Sequence, residues 1–362
     1  MSQHGKRIRV AVVYGGRSTE HEVSLRSAAS VVKHLDPNVY EVVPVSIDPQ
    51  GVMRRVPLAS LGSTDTLPID PSAARLSLPL DPSSRELGID VVFPVVHGPL
   101  CEDGSLQGAF ELADLPYVGS RVLGSSVSMD KDVAKRLVRA EGIAIAPYVS
   151  FHTPEWQRSS AQLTERVERE LGYSVFVKPA TLGSSIGVSR ASSRTELQAA
   201  VQDAQRYDDK VLVERAIDAR EIELAVLASQ QLGAPPEVSI AGEIVPREQF
   251  YSFERKYLQA TGADLHIPAP IDATVAALAT DYARRIFLAL CCEGLARVDF
   301  FLDRKSGELL FNEINTLPGF TAISMYPKLW AASGVPYPVL LDRLVRDALA
   351  RHAARAQLQR TR

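Results

Sequence analysis

The sequence predicts a mixed α/β fold, and three stretches carry the reading. Ile8 to Tyr14 is apolar enough for a buried strand, Gly15 and Gly16 turn the chain, Glu20 to Leu35 has helical spacing, and Glu41 to Ile47 is strand-like again. That β-α-β order predicts a parallel sheet with a ligand crevice at the carboxyl ends of its strands. In the middle, SVFVKPATLGSSIGVSR (Ser174 to Arg190) sets a Gly and Ser loop between two strands. Toward the C-terminus, ARVDFFL (Ala296 to Leu302) and LLFNEIN (Leu309 to Asn315) flank the turn DRKSG, which predicts an antiparallel hairpin.

With 362 residues, 46% hydrophobic and 23% charged, the chain is large enough for two or three globular domains. Its net charge of -3, with Lys and Arg spread out, gives no reason to expect nucleic-acid binding. Cys101, Cys291 and Cys292 have neither zinc nor disulfide spacing and fit a reducing compartment. The N-terminal stretch runs directly into a strand and a glycine turn, without a signal-peptide core. No apolar run approaches the ~20 residues of a membrane helix. The expectation is a soluble, cytoplasmic protein.

Taken in order, the first helix carries Leu25, Ala28, Ala29, Val32 and Leu35 on one stripe. Thr19 and Glu22 have the spacing of a capping box before it, yet Glu22 also lies at the crevice mouth, so a ligand-facing role competes. GGRS lacks the GxGxxG spacing of a dinucleotide site. Asp48 to Ser84, rich in Pro, Ser, Asp and Gly, reads as a surface excursion. Asp90 to Val96 is a strand that puts His97 at its carboxyl end, either as a packed imidazole or as a ligand contact. Leu115 to Val118 makes a last short strand.

Ser126 to Glu141 reads as one helix with Val133, Leu137 and Val138 inward. Lys131 and Lys135 are i, i+4 neighbours on it, and their plain reading is a solvated face. VLVERAI (Val211 to Ile217) and EIELAVL (Glu221 to Leu227) are strands whose backbone edge could meet an adenine. Pro246 to Pro270 is long, aromatic, charged and aperiodic, the character of an active-site lid. A helix over Thr274 to Leu290 precedes the hairpin. Helical segments after Pro327 carry Val339, Leu340, Leu344 and Val345 as a stripe and end in a frayed basic tail from Arg351.

The hairpin holds the strongest chemical signal. Along each strand, side chains alternate faces, so Arg297 pairs in direction with Asp299, and Glu313 with Asn315. If opposed residue numbers sum to an even number, all four converge on one surface. Two carboxylates and an amide oxygen are hard ligands suited to Mg²⁺ that also bridges phosphates. An exposed Arg297–Asp299 ion pair is the bland alternative. TLPGF (Thr316 to Phe320) follows at once, and its sharp Pro-Gly turn can aim a backbone N–H at a ligand. The Gly183–Ser184–Ser185 loop, with Lys178 at the preceding strand's end, offers donors for a phosphate.

These residues, in order from about Val10 to about Val345, resemble the D-alanine–D-alanine ligases of the ATP-grasp fold. The resemblance rests on HEVSL, HGPLCEDGSLQG, SMDK, VKP with GSSIGVS, ERKYL, ARVDFF and FNEINTLPGFT. It implies an N-terminal parallel-sheet domain over 1–124, a central ATP-grasp subdomain over 125–220 and a C-terminal one over 221–362. It implies ATP and two D-alanines as substrates, two Mg²⁺ ions (or Mn²⁺) on Asp299, Glu313 and Asn315, and a role in peptidoglycan precursor synthesis. Lys131 and Lys178 would bind phosphate oxygens, and Glu214, Ile217 and Glu221 would line the adenosine pocket, with Arg215 where the family often has lysine. Glu22 and His97 would meet the first D-alanine, while Glu22, Ser184 and Tyr257 would form a hydrogen-bonded set. Lys256 would reach the transferred phosphate, Arg297 and the Gly319 N–H would form the oxyanion hole, and Ser324 would bind the second substrate. Cys101 stands where a glycine is usual. A homodimer is compatible with this family.

The nearest competitor is a ligase that takes D-lactate as second substrate, against which Tyr257 speaks. A non-catalytic nucleotide-binding regulator would tolerate loss of Glu313 or Asn315, and a dinucleotide oxidoreductase would need the glycine fingerprint that is missing.

Overall fold

The computed structural model describes residues 6–60, 65–79, 87–246, 263–321 and 323–359, and these build three sheets. The first contains β1 (Ile8–Gly15), β2 (Tyr40–Ile47), β3 (Met53–Arg55), β4 (Ala74–Arg75) and β5 (Val91–Val96), in the order β4-β3-β2-β1-β5. β1 pairs in parallel with both β2 and β5, as the β-α-β order requires. Pro94 sits in the edge strand β5, where a missing N–H costs no ladder bond to a further strand.

Helix α1 (His21–His34) links β1 to β2 and buries Leu25, Ala28, Ala29 and Val31. Its N-cap is Glu20 and no side chain caps it, so the Thr19 and Glu22 spacing does not close a capping box. The strand expected at Leu115 to Val118 reduces to a single parallel bridge between Val92 and Tyr117. After α2 (Ser105–Leu112), the helix expected over Ser126 to Glu141 is two helices, α3 (Val122–Met129) and α4 (Lys131–Ala140). The break is Asp130, extended in φ and ψ, whose carboxylate accepts from the Asp132 and Val133 N–H groups and starts α4 afresh. That new phase turns Leu137 outward, at 38% exposure, and Lys135 fully inward.

The second sheet contains β6 (Tyr148–His152), β7 (Val175–Pro179), β8 (Ser189–Ala191) and β9 (Lys210–Arg215), in the order β6-β9-β7-β8 and antiparallel throughout. Helices α5 (Thr153–Glu170) and α6 (Arg194–Ala204) cover it through Trp156, Leu163, Val167, Leu197 and Val201.

The third sheet holds β10 (Ala219–Leu227), β11 (Glu237–Val238), β12 (Gly242–Pro246), β13 (Ala263–His266), β14 (Leu295–Asp303) and β15 (Leu309–Asn315). Its order is β13-β12-β10-β14-β15, with β11 on β10. Helix α7 (Ala273–Ala289) and α4 bury Ala134, Val138, Ile286 and Phe287 against its Phe300 and Phe311.

Helices α8 (Met325–Ala332) and α9 (Tyr337–Ala356) end the described chain. Leu340, Leu344 and Val345 are fully buried, whereas Val339, expected beside them, is 48% exposed. Arg351 is no part of a frayed tail: it lies within α9 and is ion-paired to Asp347 at 2.7 Å and Glu293 at 2.5 Å. Phe320, just ahead of α8, meets Phe93 of β5 edge-on, with ring centroids 5.8 Å apart. This contact fixes the loop after β15 against the carboxyl end of β5. No described helix is long and apolar enough to cross a membrane.

Candidate active site

The β14–β15 register settles where the hairpin's polar side chains go. Arg297 faces Asn315 and Asp299 faces Glu313, both even sums, so the four share a surface. Beyond them the register slips: Phe300 faces Phe311, and Asn312 is the extra residue of a β-bulge. The bulge lets Phe311 turn into the core while Glu313, two residues on, keeps the opposite face. Arg297 grips Asp299 with two bonds, Nε to Oδ1 at 2.8 Å and Nη2 to Oδ2 at 2.7 Å, and Asn315 Nδ2 donates to Asp299 Oδ2 at 3.2 Å. On the neighbouring strand, Glu223 lies opposite Asp299 and its Oε2 is 3.0 Å from Arg297 Nε. The sequence reading passed over Glu223; its place in EIELAVL, an acid alternating with apolar residues, was the available signal.

The second sheet contributes cations. Lys178 at the end of β7 and Lys135 of α4 each stand 2.6 Å from a different oxygen of Glu214, and all three side chains are buried. Burial pushes Glu214 upward, and the two ammonium groups outweigh it, holding the carboxyl below the ordinary range. Burial also dominates Lys135, whose pKa is lowered despite Glu214. The solvated-face reading of Lys135 therefore fails, because the Asp130 break rotates it into the core. Lys131 reaches the Leu182 carbonyl at 2.6 Å and Glu313 Oε2 at 3.3 Å, which links this sheet to the hairpin.

Between them lies the Gly and Ser loop, where Ser184, Ser185 and Gly187 all have φ between 56° and 66°. Asp208 anchors its start by accepting from the Thr181 N–H and hydroxyl at 2.7 and 2.8 Å. The Ser184 hydroxyl donates to Glu20 Oε1 in a short hydrogen bond. Here the sequence reading needs correction: Glu22, assigned to the set with Ser184, is exposed on α1, and the buried acid facing the loop is Glu20. Glu20 occupies the N-cap position of α1, and its carboxylate engages Ser184 and no helix N–H.

His97 is 4% exposed at the end of β5. Its Nδ1 lies 3.0 Å from the Leu317 carbonyl, which can only accept, so Nδ1 carries the proton. Burial lowers the His97 pKa, but Glu102, Glu20 and the Leu317 carbonyl reverse this and leave it above the ordinary histidine value. Glu102 also accepts from the Gly98 N–H at 2.7 Å. Cys101 is a buried thiol in the same loop; Leu100, Gly98 and Gly104 take the positive φ values, so position 101 itself does not demand glycine.

In the loop after β15, a Cβ at Gly319 would lie 2.9 Å from Ser324 Oγ, which sets these two residues side by side. The Ser324 hydroxyl accepts from the Thr321 N–H at 3.1 Å. Glu20, His97, Gly183, Ser184, Arg297, Glu313, Asn315 and Leu317 to Gly319 line one cleft where the three sheets meet. Lys131 touches that cleft through Glu313, whereas Lys178 and Glu214 are not among its lining residues. Ile217 lies in the link from β9 to β10 and Glu221 within β10, opposite Ile244 and Phe301, while the Arg215 guanidinium turns away to the Glu170 and Leu171 carbonyls. Lys256 and Tyr257 lie outside the described residues.

The donor set fits a hard cation. Among the described residues no cage of three or more His, Cys, Asp or Glu exists. The hairpin offers two carboxylates and one amide, flanked by Arg297 and Lys131, as suits an ion that takes its remaining oxygens from a phosphate.

A parallel-centred sheet, two antiparallel sheets and a polar cleft where they meet define an ATP-grasp fold. Two family models match, described as the D-ala D-ala ligase N-terminus over residues 9–120 and the D-ala D-ala ligase C-terminus over 137–346. The chain belongs to the D-alanine–D-alanine ligase family. It is 52% identical to "D-alanine--D-alanine ligase A" of Bradyrhizobium diazoefficiens and 47% identical to a D-alanine--D-alanine ligase of Legionella pneumophila, covering 98% of both chains in each case. Among solved structures, the D-alanine-D-alanine ligase from Coxiella burnetii superposes with a TM-score of 0.82 at 35% identity, covering 97% of this chain and 98% of that one. The VanG D-Ala:D-Ser ligase from Enterococcus faecalis gives 0.83 at 33%, covering 95% and 100%.

Proposed function

We infer that this chain uses ATP to join two D-alanines into D-alanyl-D-alanine through an acyl phosphate, supplying a peptidoglycan precursor in the cytoplasm. The observation that carries the reading is the shared face of Arg297, Asp299, Glu313 and Asn315, set across the cleft from Ser184 and Glu20. The proposed three-part division of the chain is 1–124, 125–220 and 221–362.

A carboxylate does not react with an amine, so one D-alanine carboxylate oxygen attacks the γ-phosphorus and ADP leaves. The amine of the second D-alanine, once deprotonated, attacks the acyl carbon, and phosphate departs with the original carboxylate oxygen. Two Mg²⁺ ions, or Mn²⁺, held by Asp299, Glu313 and Asn315 would neutralise charge on the phosphates. Lys131 and Lys178 serve the phosphate oxygens, and Ile217 and Glu221 the adenosine. Glu214 has both oxygens engaged and acts by placing Lys178.

Glu20, in place of Glu22, meets the ammonium of the first D-alanine, and His97 its carboxylate side. Arg297 and the Gly319 N–H receive the oxyanion, and the Ser324 hydroxyl lies beside them for the second substrate's carboxylate. Lys256, expected to reach the transferred phosphate, and Tyr257, expected in the set with Ser184, lie outside the described residues; water has to be kept out because it would hydrolyse the intermediate. A homodimer is compatible with this reading.

Phosphate release with ATP and Mg²⁺ tests the reading: release should require D-alanine, fail with L-alanine, and gain little from added D-lactate or D-serine. Release indifferent to D-alanine would refute it.

A further inference from the structure

Arg297 is held by two carboxylates at once. Asp299 engages Nε and Nη2 at 2.8 and 2.7 Å, and Glu223, 3% exposed on the adjacent strand, stands 3.0 Å from Nε. Asp299 is one of the candidate cation ligands, and Glu223, directly opposite it on the adjacent strand, shares its face of the sheet and stands outside that ligand set. A divalent ion on an Asp299 oxygen, at the usual ~2.1 Å, would sit within about 5 Å of the guanidinium. Like charges at that range in a buried site repel strongly.

We propose that Glu223 is the counter-ion to which Arg297 is handed when a divalent cation takes Asp299. The proposal rests on the ligase reading above and deepens it: cation loading and arming of the oxyanion donor become one event. Without the cation, Arg297 gives both Nε and Nη2 to Asp299, with Glu223 in ion-pair reach of Nε. With it, the guanidinium swings onto Glu223, which keeps it charge-balanced while its remaining N–H groups turn to the reacting carbonyl. Glu223 is thus a positioning residue, acting through Arg297. No bond beyond hydrogen bonds and ion pairs changes in the exchange.

The test is Mn²⁺ binding to the full chain with ADP, read from the electron paramagnetic resonance signal of free Mn²⁺, for wild type, Glu223→Gln, Arg297→Met and the double variant. Loss of Glu223 should weaken Mn²⁺ binding about tenfold, because Arg297 then competes for Asp299 unrelieved. Arg297→Met should tighten binding, and in that background Glu223→Gln should have no effect. An equal weakening in both backgrounds would mean that Glu223 contributes only its charge and would overturn the hand-off, as would no weakening in either. Should Glu223→Gln lack a cooperative melting transition, Glu223→Asp keeps the charge, shortens its reach and must show the same dependence on Arg297 at smaller amplitude. No Mn²⁺ uptake by the wild type would overturn the cation-site reading itself, a result distinct from an unchanged coupling.

Discussion

Ser184 donates its hydroxyl to Glu20, a hydrogen bond that spans 164 positions of sequence and ties the Gly and Ser loop of the second sheet to the first turn after β1. Both residues are buried, and both line the cleft that also holds Arg297 and Glu313. The bond therefore joins the two sheets across the cleft.

Glu20→Gln keeps an acceptor for Ser184 but removes the charge that would face an ammonium group. We expect kcat/KM for D-alanine to fall by roughly 10²-fold, the scale on which an uncompensated buried charged contact is lost. Glu22→Gln, on the exposed side of α1, should stay within twofold. Steady-state kinetics of the two variants decide which glutamate the site uses, and the reverse order would contradict the assignment.

Arg297→Lys retains the charge and forfeits the fork. Its two bonds to Asp299 cannot both be reproduced by an ammonium group. A loss of ~10²–10³ in kcat is expected, the usual cost of an oxyanion donor, with a small change in KM for ATP. An effect confined to KM would place Arg297 in nucleotide binding instead.

Glu102 and Glu20 help raise the His97 pKa against the effect of burial. A group whose folded pKa is raised stabilises the fold fully below its unfolded value, near pH ~6.5 for histidine, and loses that contribution as pH climbs through the folded value. Glu102→Gln keeps the acceptor for the Gly98 N–H and removes the charge. The melting difference between wild type and Glu102→Gln should therefore be widest near pH ~5.5 and shrink as pH rises past the folded His97 value. A difference that grows with pH would reverse the sign of this coupling.

The thiols divide by burial. Cys101 and Cys292 are buried and pushed up to about 12, whereas Cys291 is exposed. Native protein should react with Ellman's reagent at one thiol per chain, and unfolded protein at three. Rapid native labelling of Cys101 would show that the His97 loop opens far more than its hydrogen bonds allow.

Much of this architecture was legible in the residues. The alternation of Arg297, Asp299, Glu313 and Asn315 predicted their shared face, and the β-α-β order predicted the parallel pairing of β1 and β2. What stayed hidden depended on phase and on distant contacts. A carboxylate cap at Asp130 restarts the helix and buries Lys135, which helical spacing alone places at the surface. Asn312 bulges and sends Phe311 and Glu313 to opposite faces, a shift invisible to strict period-two counting. Glu20 and Glu22 are two residues apart in one stretch, and only the fold distinguishes which of them meets Ser184. Glu223 reads as one more acid in a strand until β10 pairs with β14 and sets it beside Arg297.

The central claim, that a D-alanine carboxylate attacks ATP in this cleft, is tested most directly with D-alanine carrying ¹⁸O in its carboxylate. Mass analysis of the released phosphate should find one ¹⁸O per molecule, carried over when the acyl phosphate collapses. Phosphate without label would mean that water, and not the amino acid, attacks the nucleotide.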